Sequence, residues 1–378
     1  MPALDTTVTQ FDSTQAGAPT LTNSAGALIT LLDACLVNGF GQVTCNSVVV
    51  TSGVAVATIN GGHSARPYSV VTIAGSSTPN LNGEHKVTAV TSTTVTFDAF
   101  GVADGAASGT ITLKQKSAGW EKQHSGTNLA AYRSANVQAS RTVFRFDDTG
   151  TLNARVVGYT SMSDINNGVD PFPTAAQVSG GSWQPKSSGS GNRPWCLYAS
   201  DRAVYFGVGC YAYYEAAKYF TFFGDLLSRK AADPYRGLLM MCTADHTANA
   251  QFNTYMPLTG GYAHRYMPRA YWGFGGAASV GIEYFKSGGH TPGGGGFSFP
   301  NAVDNALLFT RPLVVDNNAA RGMLPGIHLP LHNVNQAVLD GTIFPASAGF
   351  ARPLQYRWAG YSPTSSYGGF MWDVMGPW

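Results

Sequence analysis

Apolar residues recur along this chain at two different periods. Over residues 20 to 40, TLTNSAGALITLLDACLVNGF, the residues Leu28, Ile29, Leu32, Cys35 and Leu36 follow helical spacing. Ser24 or Asn23 is placed to cap the start and Gly39 to end it, which predicts one amphipathic helix. A helix this short cannot stand alone, so its apolar face is expected to dock on this protein's own core or on a neighbouring subunit. From about residue 43 the period becomes two. SVVVTSGVAVATI, with Val48, Val50, Val54, Val56 and Thr58 in the alternation, is followed by SVVTIAG, PNLNGEHKVTAV, TTVTFDAF and GTITLKQ. About six short strands ending near Lys116 predict a small β-sandwich, with Asn82-Gly83 as a tight turn.

Residues 117 to 136 are polar with two aromatic anchors, Trp120 and Tyr132, and read as a loop crossing between domains. A second β pattern runs through TVFRFDD and ARVVGYTSM, then breaks at the Gly/Ser tract VSGGSWQPKSSGSGNRPW, expected to be an exposed excursion. RPWCLYASDRAVYFGVG reads as a hairpin turning at Ala199 to Arg202, and KYFTFFGDLLS and YRGLLMMCTA as buried strands. Beyond residue 250, strands such as GIEYF and ALLFTRPLVV alternate with glycine and proline loops, notably SGGHTPGGGG. The expected fold is mainly β: an N-terminal segment and docking helix over 1–42, a small β-sandwich over 43–116, and a larger β-rich domain with long aromatic, Gly/Pro-rich loops over 117–378.

Composition narrows the function. Charged residues make up 12% of the 378, about half the globular norm of ~25%, so solubility must rest on hydroxyls and amides. The net charge of +2 comes without a basic run, which argues against nucleic-acid binding. No apolar stretch approaches the ~20 residues that span a bilayer, so membrane insertion is not expected. The opening MPALDTTVTQF lacks the basic and apolar regions of a signal peptide, so the chain is expected to be made in a cytoplasm and left there. Cys35, Cys45, Cys196, Cys210 and Cys242, an odd number without CxxC spacing, suit buried free thiols in a reducing compartment.

Candidate chemistry is thin. His328 and His332 have the i, i+4 spacing of a helical zinc motif, but Pro330 forbids the helix, and in extended chain residues four apart lie about 13 Å from each other. They are expected to be loop histidines satisfied by backbone groups. Asp245-His246 with His264 and Asp201 lacks a nucleophile context for a triad. GFGGAASVG lacks the lysine of a phosphate loop and opens no helix. Asp147-Asp148 reads as a turn between strands, Asp225 and Asp233 as turn and cap residues, and His63, Glu84 and His85 as surface or turn residues. Hence no catalytic, cofactor-binding or metal-ligating residue is expected, and no enzyme.

The aromatics are more informative. YWGFGG, FSFP, YRWAGY and YGGFMWDVMGPW set Trp, Tyr and Phe beside Gly and Pro, and are expected to divide about equally between packing within the chain and contacts between chains, with sugar-binding platforms using the same residues. The candidate interface residues are Leu28, Ile29, Leu32 and Leu36 of the helix, and Trp272, Phe274, Trp358, Tyr361, Phe370, Trp372 and Trp378.

Five stretches, AGALITLLDACLVNGFG, VTIAGSSTPNLNGEHKV, AGWEKQHSGTNLAAYRS, FFGDLLSRKAADPY and RGMLPGIHLP, together resemble virion structural proteins of tailed bacteriophages, especially transposable phages of Gram-negative bacteria. The resemblance extends to about residue 330 and includes no mechanistic motif. It implies a virion component assembled in the bacterial cytoplasm, and the position expected first is the tail tip, baseplate or fibre. Capsid decoration, a minor head protein, or a module binding a host glycan or pilus are its alternatives. The partners it implies are other virion proteins, further copies of the chain and a host surface receptor.

Overall fold

The computed structural model describes residues 3–187, 189, 191–209, 218–242, 257–258, 263–283, 298–332, 334, 337–346, 351–359 and 368–378. Among these the protein is mainly β, with one short α-helix. A large antiparallel sheet runs in the order Thr9–Asp12, Trp195–Ala199, Ala203–Val208, Tyr219–Asp225, Gly237–Cys242, Ser182–Pro185, Asn153–Tyr159, Val143–Asp147, Leu129–Ser134 and Trp120–Gly126. Four consecutive members, from Trp195–Ala199 to Gly237–Cys242, are buried at every position, which is why their sequences read as mainly apolar runs.

The amphipathic segment forms an α-helix at Ala27–Leu32 that continues as a π-helix at Asp33–Asn38 and stops at Gly39, φ 72°. Neither Ser24 nor Asn23 caps it. The Asp148 carboxylate does so from a distant strand end, accepting the Leu28 N–H at 2.8 Å and the Ile29 N–H at 3.3 Å. Asp148 also pairs with the Lys186 ammonium, which donates to Ser24 O at 2.8 Å; both charged side chains are fully buried. This corrects two expectations. Asp148 is no simple turn residue, and the middle of the Gly/Ser tract is no surface excursion, because Ser182–Pro185 is a strand of the large sheet and Lys186 and Ser187 lie inside. Burial pushes the Asp148 carboxyl up despite Lys186 beside it. Removing one partner of such a pair costs about 3–5 kcal/mol, because the other charge is left buried alone.

Residues 117 to 136 also depart from expectation. They form the hairpin Trp120–Gly126 and Leu129–Ser134, with Asn128 at φ 57° in its turn. A register shift between Lys122 and His124 breaks the period of two, which hid the strand from pattern reading. Trp120 and Tyr132 are core residues, and the Tyr132 hydroxyl donates to Asp33 Oδ1 at 2.8 Å, tying hairpin to helix.

Residues 40 to 115 form a second sheet, ordered Phe40–Thr44, Thr112–Gln115, Val70–Ala74, Gly83–Val90, Thr94–Asp98, Val54–Thr58, Ser47–Thr51 and Gly105–Ala106. Val48 and Val50 from one end meet Ile73 and Leu113 from the other in one core, so the sheet folds over on itself. The alternation in Val54–Thr58 runs opposite to the sequence reading. The two-residue turn Ser52-Gly53 pairs Val50 with Ala55 and Val48 with Ala57, and cross-strand partners share a face. Ala55 and Ala57 therefore point inward, while Val54 and Val56 are exposed beside Val49. Asn82-Gly83 is not a hairpin turn: Pro79–Leu81 is a turn of 3-10 helix, Asn82 is extended at φ −75°, and its side chain closes the loop onto Ser76.

A buried lysine joins this sheet to both ends of the described chain. Lys86 donates from Nζ to Val8 O at 3.0 Å and Val374 O at 2.9 Å, and desolvation lowers its pKa to about 8. Because the ordinary value is 10.5, the unfolded chain binds more protons than the folded one between pH 8 and about 10.5, so this group's contribution to stability rises with pH across that window. In denaturant titrations, wild type is expected to gain stability relative to Lys86→Met from pH 8 to pH 10 and to show a constant difference below pH 7. A wild type that loses stability relative to the variant as the pH rises would contradict this assignment.

Candidate contact loop and neighbouring cleft

Strands Ala263–Met267 and Ala278–Ser279 pair through Tyr266 with Ser279 and Met267 with Ala278, and the loop joining them carries Tyr271-Trp272-Gly273-Phe274-Gly275. Gly273 and Gly275 take φ 81° and 76°, values open to glycine, and the Gly273 N–H donates to Ala270 O at 2.8 Å. This turn sends Trp272 and Phe274 outward, 75% and 81% exposed.

The loop is fixed at its base. Tyr271 N–H donates to Asp316 Oδ2 at 2.5 Å, and Lys230 Nζ donates to Tyr271 O at 3.4 Å. Beneath lies Arg321, fully buried, 3.2 Å from Asp233 Oδ2 and 3.7 Å from Asp316 Oδ2. Its guanidinium also donates to Arg269 O and Tyr235 O, both at 3.2 Å, and lies 5.7 Å from the centre of the Tyr271 ring. Arg269 in turn reaches Asp170 at 2.5 Å and Gly275 O. Asp233 is thus part of a buried charge network, beyond the turn role read from sequence. Asp225 likewise pairs with Arg236 at 2.8 Å. Large aromatic side chains held in water on so anchored a loop suit a contact surface: burying each ring against a partner is worth about 1.5–3 kcal/mol.

The other interface candidates lie elsewhere. Leu28, Leu32 and Leu36 are in the chain's own large core, and Ile29 packs half-buried against it, which corrects their assignment as a docking face. Phe370 and Trp372 are fully buried on Gly368–Asp373, where Trp372 stacks on Tyr198 with ring centres 4.6 Å apart. Their burial removes them from any contact between chains. Trp358 and Trp378 are half-buried and donate to Val338 O at 2.9 Å and Asp373 O at 2.8 Å. Tyr361 lies outside the described residues, as do Asp245, His246 and Cys210.

A cleft of about 440 Å³ opens beside the strand Ile327–Pro330. Its walls include Phe309, Arg311, His328, Arg352, Asp373 and Trp378. Arg352 pairs with Asp373 at 3.1 Å and donates to Gly376 O at 2.7 Å, while Asp373 Oδ1 accepts the Met375 and Gly376 N–H groups at 2.9 and 3.1 Å. His328 is a buried strand residue rather than a loop histidine, and its Nδ1 has no hydrogen-bond partner among the described residues. Desolvation and the nearby Arg311 lower its pKa to about 4, so the ring is neutral at neutral pH. Sequence reasoning missed this cleft because its members come from five separated segments. His332 is buried and reaches Ser298 O through Nδ1 at 2.8 Å.

Among the described residues no group of three His, Cys, Asp or Glu side chains is placed to hold a metal ion. Asp201 sits in the 200–202 turn, bonded by Asn136 at 2.6 Å. Cys35, Cys196 and Cys242 are buried free thiols, and Cys45 is half-buried with its pKa raised by desolvation to about 11. His85 is half-buried, with ring nitrogens 2.7 Å from Asp98 O and 2.9 Å from Leu81 O, while Glu84 pairs with Lys116 at 3.0 Å and His63 reaches Thr91 O at 2.8 Å.

No protein-family model matches the chain, and no curated protein matches its sequence. Among solved structures it is similar to an endosialidase of phage phi92, with 11% identity over 60% of this chain and a TM-score of 0.18. The match spans 39% of that chain, and no residue role is carried across from it.

Replacing Asp316 with alanine removes the acceptor for Tyr271 N–H and one carboxylate facing Arg321. It is expected to cost about 2–4 kcal/mol and to accelerate amide exchange over residues 268–277, leaving residues 47–74 at the wild-type rate. Unchanged exchange in the loop would show that its anchor lies elsewhere.

Proposed function

We propose that this chain is a non-enzymatic structural component of a bacteriophage particle, placed at the tail tip, baseplate or fibre, and held by contacts between subunits in which Trp272 and Phe274 are seated in a neighbour. The observation that carries this reading is the exposure of both rings on a loop whose base is fixed by a buried charge network. Interfaces draw most of their energy from a few such aromatic anchors. The low charge fits as well, since contacts made without ion pairs are little weakened by salt. The five stretches that resemble phage virion proteins supply the particle, and the neighbour is another virion protein or a second copy of this chain. A head position, as a capsid decoration, would use the same loop in the same way.

Both rings contribute together about 3–6 kcal/mol on burial, two to four decades in a binding constant. Supplying the double variant Trp272→Ala/Phe274→Ala in place of wild type during phage growth is therefore expected to reduce its incorporation into purified particles by at least about tenfold. The purified variant should keep the wild-type melting temperature, because neither ring packs in the core. Incorporation at the wild-type level would overturn the role given to the loop.

A further inference from the structure

Among the described residues, Arg311 is the cleft-wall cation left without a partner. It is exposed, and no hydrogen bond or ion pair engages its guanidinium among the described residues. The second cation, Arg352, is already spent on Asp373 and two backbone carbonyls, and the Asp373 charge is met by that arginine and two N–H groups. His328 adds no charge at neutral pH. The cleft thus presents one net positive charge in a planar fork that matches a carboxylate. Phe309 and Trp378 add aromatic surface on the walls, and the volume of about 440 Å³ lies within the range of small-ligand sites.

We propose that this cleft binds an acidic saccharide, with Arg311 holding the carboxylate of one sugar unit and Trp378 and Phe309 bordering its ring. A bare inorganic anion would satisfy Arg311 and leave the aromatic walls unused. A neutral sugar would use the walls and leave Arg311 without a counter-charge. A carboxylated pyranose answers both. The inference does not depend on the particle assignment, since it rests on different residues from the Trp272 loop and is read by binding to the purified chain.

The test is ligand-observed NMR on the full-length protein with D-glucuronate, D-glucose and inorganic phosphate as separate probes, on wild type and Arg311→Ala. Arg311 is exposed and unpartnered, so its replacement should leave the melting temperature unchanged. Saturable binding of glucuronate is expected, weakened about tenfold by Arg311→Ala and by a rise in salt, with glucose at least about tenfold weaker. No saturable glucuronate binding, or binding that Arg311→Ala leaves intact, would overturn the proposal. Phosphate binding as tightly as glucuronate would overturn its sugar part, reducing the cleft to a simple anion site.

Discussion

The Asp148 carboxylate, buried against the Lys186 ammonium, is the constraint on which the large unit depends. It draws three distant segments to one point: the helix N-terminus at Leu28 and Ile29, the end of strand Val143–Asp147, and the stretch following Ser182–Pro185. Two charges withdrawn from water are costly, and here the cost is offset because nearly every donor and acceptor is used. Lys186 also satisfies Ser24 O, and Asp148 satisfies two helix N–H groups that lack a partner within the helix. With the helix fixed, Leu28, Leu31, Leu32 and Leu36 close one side of the core, and Tyr132 locks the neighbouring hairpin through Asp33.

The same device recurs under the Trp272 loop. Arg321 is buried between Asp233 and Asp316, and its two terminal nitrogens also donate to Arg269 O and Tyr235 O, while Nε has no hydrogen-bond partner among the described residues. A guanidinium held at both terminal nitrogens by two carboxylates and two carbonyls has few alternative geometries, so it specifies the path of the backbone above it. Rigid presentation matters for a contact loop, because ordering it beforehand lowers the entropy lost when a partner docks. In a chain with only 12% charged residues, the buried ion pairs hold segments together while the outward face of this loop is left to aromatic rings.

Much of the fold was legible in the sequence, because its signals are local. The helical spacing of Leu28, Leu32 and Leu36 and the alternation of Val48 and Val50 report faces that burial confirms. The long-range pairs left no such trace. Asp148 sits in a DDTG run that looks like a turn, and Asp147 does behave as one, accepting from Thr149; the partner of Asp148 lies within a Gly/Ser tract that composition assigns to the surface. Aromatic residues beside glycine were equally ambiguous. Trp272 and Phe274 stand in water, whereas Phe370 and Trp372 are enclosed between strands. The difference lies in the surroundings: Gly273 and Gly275 bend the chain away from pairing, while Phe370 and Trp372 alternate within a strand flanked on both sides. Which face of a strand meets a partner is set by the whole sheet, so Val54 and Val56 needed the turn geometry to be placed outside.

The most direct test of the central claim is a cryo-electron microscopy reconstruction of purified particles at side-chain detail. The expected result is density for this chain at the distal tail, with Trp272 and Phe274 covered by a neighbouring subunit. Particles that lack the chain, or that carry it with both rings facing bulk water and its contacts made elsewhere, would contradict the account.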